Sequence, residues 1–170
     1  MAQSNALVSI LMGSDSDLEV MSEAGKTLEK FGVGYEIDVT SAHRSPERTR
    51  RIVSEAPSRG IRVFIIGAGA AAHLAGVVAA ESTLPVIGVP LDASALRGVD
   101  ALYATVQMPA GIPVATMAIG KAGATNAAIF AIEILALSDE NLRGKLQEHK
   151  RKLAEGVEQK SAALREKLKN

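Results

Sequence analysis

The chain has no cysteine and no tryptophan, and only three phenylalanines and two tyrosines among its 170 residues. Without cysteine there can be no disulfide, no zinc–thiolate site and no thiol nucleophile, which fits a reducing compartment. So few rings leave little on which to stack the bases of a single strand. An excess of one charge is also missing, since 19 Lys and Arg balance 19 Asp and Glu. A nucleic-acid binder needs a basic surplus to neutralise phosphates, so no such partner is expected. No apolar run reaches the roughly 18–20 residues of a membrane span, and residues 1–12 lack the cationic start of a signal peptide. The expectation is a cytoplasmic protein with no membrane partner. There is no GxSxG elbow and no GxxxxGK(S/T) phosphate loop. The three histidines, His43, His73 and His149, show no metal-ligand spacing, so no metal site is expected.

What is present is small and apolar. Hydrophobic residues make up 47% of the chain, and 28 alanines and 15 glycines account for a quarter of it. A core so poor in rings fills space by close approach of backbones or by burial against other subunits.

The order of elements follows from periodicity. Residues 6–12 are a continuous apolar run that reads as a buried strand; 61–66 reads as another buried strand, and 35–40, 85–89 and 113–119 as further strands. Between them, helices are expected over 17–31, stopped by Gly32, and from Pro46 to about Ala56. Others are expected over 73–82, 99–106 and 122–137. Strands alternating with helices imply right-handed crossovers and a parallel sheet covered on both faces. The fold class is α/β: a three-layer, doubly wound, flavodoxin-like parallel sheet of about five strands, with a long C-terminal helix. Residues 1–138 read as the α/β catalytic domain. Residues 139–170 carry nine basic and six acidic side chains. Their Leu142, Leu146, Leu153, Val157, Leu164 and Leu168 recur in an eleven-residue pattern close to the helical turn. That is a charged helix with a narrow apolar stripe, packing one edge on the body or on a neighbouring subunit. His149 within it reads as solvated.

Chemistry concentrates in three loops that each follow a strand and so open on one edge of the sheet. Gly13-Ser14-Asp15-Ser16-Asp17 offers helix-start amides to a phosphate and carboxylates to sugar hydroxyls, or it simply caps a helix. Ser41-Ala42-His43-Arg44-Ser45-Pro46 places a group that titrates near neutral pH beside a bidentate fork for phosphate or carboxylate. Gly67-Ala68-Gly69-Ala70-Ala71-Ala72-His73 satisfies a relaxed dinucleotide pattern with Asp92 at the expected distance, although it follows the third strand rather than the first. His73 reads either as a helix-start donor or as a packed polar residue, with packing favoured.

Taken together, GSDSD (13–17), SAHRSP (41–46), GAGAAAHLAG (67–76), LPVIGVP (84–90) and VQMPAGIPVATMAIGKAGATNAA (106–128) resemble the class I N5-carboxyaminoimidazole ribonucleotide mutases of bacterial purine biosynthesis. The similarity covers about residues 6–137. It implies a cofactor-free isomerisation of a small ribonucleotide, in which carbon dioxide is released from the exocyclic nitrogen and recaptured by a ring carbon. By motif position, His43 is the general acid and base. Ser14, Asp17 and Arg44 match substrate-binding residues of the family, with Arg44 at the phosphate. The Gly69–His73 turn, with Gly69, Ala70 and His73, matches the loop that lines the base and carboxylate, and Ser41, Ala42 and Leu74 are further substrate-binding residues that the resemblance implies. The resemblance also implies a homo-octamer with sites formed between subunits. The sequence departs from the family pattern at Ala70, where a glycine is usual, at Ala75, usually proline, and at Ser45, usually threonine. If that glycine has positive φ, alanine forces the loop to adjust or its contacts to differ. Direct carboxylation of aminoimidazole ribonucleotide is the nearest alternative activity. A non-catalytic or dinucleotide-binding flavodoxin-like module is the alternative of a different class.

Overall fold

Continuous apolar runs become the inner strands of one sheet. In the computed structural model, which describes residues 5–169, β1 (Val8–Met12), β3 (Val63–Gly69) and β4 (Val86–Leu91) are buried along almost their whole length. Residues 1–4 and 170, at the outer ends of the expected domain and tail, lie outside the described residues. Burial on both faces is what a parallel strand under crossover helices requires. β2 (Tyr35–Val39) and β5 (Ala115–Thr116) lie at the edges, and all five strands pair in parallel in the order β2-β1-β3-β4-β5. This is the flavodoxin-like order, whose direction reverses between β1 and β3.

The helices follow the expected punctuation. α1 (Leu18–Phe31) ends at Gly32, whose φ of 75° lets its N–H turn back to the carbonyls of Leu28 and Glu29. α2 (Pro46–Glu55) begins on its proline, where a missing N–H costs nothing. α3 (Leu74–Glu81), α4 (Val99–Val106) and α5 (Lys121–Leu135) follow β3, β4 and β5. One core joins Ile52 and Val53 of α2 and Ala56 just after it, Leu74, Ala75 and Val78 of α3 and Ala101 of α4 to Leu11, Phe64 and Ile66 of the sheet. α1 covers the opposite face, where a Cβ on Gly67 would meet the Met21 sulfur at 2.4 Å. Small residues bring helix and sheet together there. A Cβ on Gly123, in the first turn of α5, would stand 1.7 Å from the Ala118 carbonyl oxygen.

Three expectations change. β3 extends to Gly69 instead of ending at residue 66, because Gly67, Ala68 and Gly69 pair with Val89, Pro90 and Leu91 of β4. The glycine-rich segment is therefore strand for its first three residues. β5 shrinks from the expected 113–119 to two residues. Gly111 has a φ of 96°, and beyond Thr116 only Met117 N–H to Gly88 and Gly120 N–H to Pro90 continue the pairing, at irregular intervals. The helix expected from residue 17 starts at Leu18, after a 3-10 turn over Asp15–Asp17.

The chain divides into two compact units, with the boundary after Ile132 inside α5. In the second unit α6 (Glu140–Lys167) is capped by Asp139, whose carboxylate accepts the Leu142 N–H at 3.0 Å. Of its apolar stripe, Leu142 and Leu146 are buried, whereas Leu153, Val157, Leu164 and Leu168 are exposed. His149 is half-buried rather than solvated, because it shares the helix face of Leu142 and Leu146 at i+7 and i+3.

Candidate active site

The loops after β1, β2, β3 and β4 enclose a cleft of about 300 Å³ at the carboxyl edge of the sheet, beside the β1/β3 reversal. Ligands of open α/β sheets bind at such a point, and the volume sits at the small end of ligand pockets. Ser14, Asp17, Ser41, Ala42, His43, Arg44, Gly69, Ala70, His73 and Leu74 all line it.

The first loop is held by its own side chains. Ser14 caps the 3-10 turn by accepting the Ser16 N–H, while Asp17 accepts the Ser14 N–H at 3.1 Å, a reciprocal capping box. Capping and cleft lining are thus done by the same residues. Burial pushes the Asp17 carboxyl above its ordinary value, the Ser14 N–H pulls it back, and the charge of Asp15 adds to the rise.

The second loop is braced by hydroxyls. Ser45 N–H donates to the Ser41 carbonyl at 2.9 Å, Ser41 N–H to the Ser45 hydroxyl at 3.1 Å, and Arg44 N–H to the Ser41 hydroxyl at 3.1 Å. Beneath them the buried hydroxyls of Thr40 and Thr49 meet at 2.8 Å and join the residue after β2 to the first turn of α2. This leaves His43 and Arg44 exposed on a fixed backbone. Arg44 reaches across to the first loop, donating from Nη2 to the Gly13 carbonyl at 3.1 Å.

The third loop turns on Ala70, whose φ is 51°. Alanine thus stands here in the left-handed region that favours glycine. Gly69 lets it lie against the β4 loop, since a Cβ there would meet that of Ala93 at 2.4 Å. His73 is exposed, so the favoured packed reading does not hold. It sits at the start of α3 without a side-chain cap, and its Nδ1 lies 2.8 Å from Nε2 of His43. The rings meet edge to face, 4.9 Å between centroids. Each histidine stands four residues beyond its strand, and β2 and β3 flank β1, so the two rings meet across the end of β1.

Sequence reasoning missed Gly13 as an acceptor, and Ser16, Ala68 and Ala93 as lining residues. Ala93 lies two residues past β4, so the rule that found the other three loops also reaches it. Asp92, the acid of the dinucleotide pattern, does not line the cleft, and the first two glycines of that pattern are strand residues set by packing. The geometry therefore departs from a dinucleotide fingerprint. Among the described residues no group of three His, Cys, Asp or Glu side chains is placed to hold a metal ion, and no helix is long and apolar enough to cross a membrane.

A family model described as AIR carboxylase matches residues 7–156. The chain belongs to the AIR carboxylase family. Among relatives in this family, the N5-carboxyaminoimidazole ribonucleotide mutase of Pyrococcus horikoshii is 50% identical over 166 residues, spanning 98% of this chain and 93% of that protein. The protein of the same name from Bacillus subtilis is 50% identical over 158 residues, 93% of this chain and 98% of its own. A phosphoribosylaminoimidazole carboxylase of Candida glabrata is 52% identical over 158 residues, but those cover only 27% of that longer protein. The crystal structure of PurE from Treponema denticola superposes with a TM-score of 0.84 at 28% identity, covering 94% of this chain and 99% of that one. An AIR carboxylase family member thus accounts for the five-stranded order and nearly the full length of the chain.

Proposed function

We infer that this chain is an N5-carboxyaminoimidazole ribonucleotide mutase, an isomerase of purine biosynthesis. The observation that carries the reading is the convergence of His43, Arg44, Ser14 and Asp17 from two separate loops on one cleft at the strand edge. Relatives of that name, identical at half their positions over nearly the whole length, support it.

The residues divide the work by chemistry. Arg44 presents a fixed cation to the phosphate, with the amides of the Gly13–Asp17 loop beside it. Ser14 and Asp17 take the ribose and phosphate oxygens. Ser41, Ala42, Gly69, Ala70, His73 and Leu74 close around the base, and small side chains there let backbone approach it. In the reaction the exocyclic N–C bond to the carboxylate breaks and carbon dioxide is held in the cleft. The ring carbon then forms a new C–C bond to it. One proton is added to the exocyclic nitrogen and one is lost from the ring carbon, so a single group that gives and then regains a proton balances the cycle. His43 is that group. No cofactor or metal enters this scheme.

The enzyme is cytoplasmic and a homo-octamer whose sites form between subunits. Exposed apolar residues on α4, namely Val99, Tyr103 and Val106, suit such contacts. Sedimentation should give eight times the 17.7 kDa chain mass, and a monomer at working concentration would contradict the assembly.

The direct test compares two substrates. The carbamate should turn over without bicarbonate. Turnover of aminoimidazole ribonucleotide with bicarbonate, and none of the carbamate, would favour the carboxylase reading suggested by the fungal relative.

A further inference from the structure

The serine and backbone bonds that fix the 41–45 loop stop short of the His43 ring. Among the described residues, the hydrogen bond recorded for that ring is the one to His73, Nε2 to Nδ1 at 2.8 Å. With the planes 82° apart, this contact sets the orientation of the ring as well as its place. An imidazole has two nitrogens, and one engaged this way leaves the other for chemistry. We propose that His73 is a positioning residue for proton transfer: it holds His43 by Nε2 and leaves Nδ1 of His43 as the nitrogen that exchanges a proton with the substrate. The assignment rests on the reading of His43 as the proton-transfer group.

The choice of a second histidine follows from what the first must do. His43 first gives a proton and later takes one. The charged ring carries hydrogen on both nitrogens; when Nδ1 gives its proton to the substrate, Nε2 keeps its own and goes on donating. A partner that serves both states has to accept in each. Lysine and arginine cannot accept; Nδ1 of a neutral imidazole can, with its own hydrogen on Nε2. The surrounding loop keeps that nitrogen in place: Ala72 is buried, Ala70 holds the turn, and His73 N–H donates to the Ala71 carbonyl at 2.8 Å.

The test reads the ring nitrogens of the resting protein. With three histidines in the chain, nitrogen-15 labelling resolves each ring, assigned by His→Asn replacement one at a time. Wild type should show a scalar coupling between Nε2 of His43 and Nδ1 of His73, and His73→Phe should move the His43 nitrogen resonances. In the same variant kcat should fall on the order of 10- to 100-fold, as expected for a misplaced reacting group, with KM within about twofold. His73→Asn puts an amide near the place of Nδ1 and should recover most of kcat. Absence of the coupling together with unmoved His43 resonances would overturn the proposal. So would a rise in KM at unchanged kcat, or an Asn variant no better than Phe. Failure of the underlying reading looks different: His43→Asn would turn over normally while the coupling in wild type persisted.

Discussion

The 41–45 loop is held by hydrogen bonds, and the 69–73 loop by packing and a strained turn. In the first, Ser41, Ser45, Thr40 and Thr49 trade donors and acceptors over short distances, and both backbone groups of Ser41 and of Ser45 and the Arg44 N–H have a named partner. In the second, Gly69 lies against Ala93, Ala72 is buried, and Ala70 adopts a conformation that disfavours its own side chain. Each supplies one imidazole of the pair. The loop that carries His43, the proposed proton-transfer group, is the one with directional bonds, which set a position more narrowly than apolar contact does.

Variants that separate the loops follow in order of effect. His43→Asn should lower turnover by about 10²–10⁴-fold, the usual contribution of a general acid–base. Equilibrium binding of the ribonucleotide should be largely kept, and unchanged turnover would remove His43 from the chemistry. Arg44→Ala should raise KM by about 10- to 100-fold through loss of a charged hydrogen bond, and steady-state kinetics would show it. Thr49→Val should destabilise the protein by about 1–3 kcal/mol, because it strands the buried Thr40 hydroxyl. Replacing both threonines by valine should recover much of that loss in a denaturant melt, and a double variant weaker than the single would break the picture of a bonded pair.

The strained loop should respond in the opposite sense. Ala70→Gly relieves about 1–2 kcal/mol of left-handed strain against about 0.5–1 kcal/mol of added chain entropy. A small net stabilisation is expected, seen as a rise in Tm with activity retained. A fall in Tm would mean that the Ala70 turn carries no strain. The smallest effect belongs to Asp17. Its folded value lies above 3.8, so folding disfavours the ionised carboxylate. The resulting cost is absent below the unfolded value, grows as pH rises through the folded value, and is complete at neutral pH. Asp17→Asn keeps an acceptor for the Ser14 N–H. It should gain slightly in stability at pH 7 relative to wild type and nothing near pH 3. An equal gain at both would show that burial of charge is not the cause.

Much of this was legible in the chain. Gly32 and Pro46 mark helix ends by local backbone rules, and continuous apolar runs give the inner strands. Motif positions named ten residues that the fold brings to one cleft. What was not legible depends on partners distant in sequence. Gly67 and Gly69 look like a flexible turn until β4 pairs with them and Met21 and Ala93 fill the space their missing side chains leave. His73 lies thirty residues from His43, and only the order β2-β1-β3 brings the two rings together. The short β5 has no signal in its apolar run, because its irregular pairing is set by Gly111 and Gly120 in the backbone.

The two margins of the sheet carry a consequence for how copies of the chain can meet. On β2, Glu36 is gripped by Arg59 at 2.8 Å and Asp38 by Arg48 at 2.6 Å, so that border is fenced with ion pairs. On the far side β5 offers only two residues. Charged or very short borders deny an incoming strand a template. The sheet is closed to growth at five strands, which guards against fibrillar stacking and leaves helices and loops as the surfaces open to the proposed assembly.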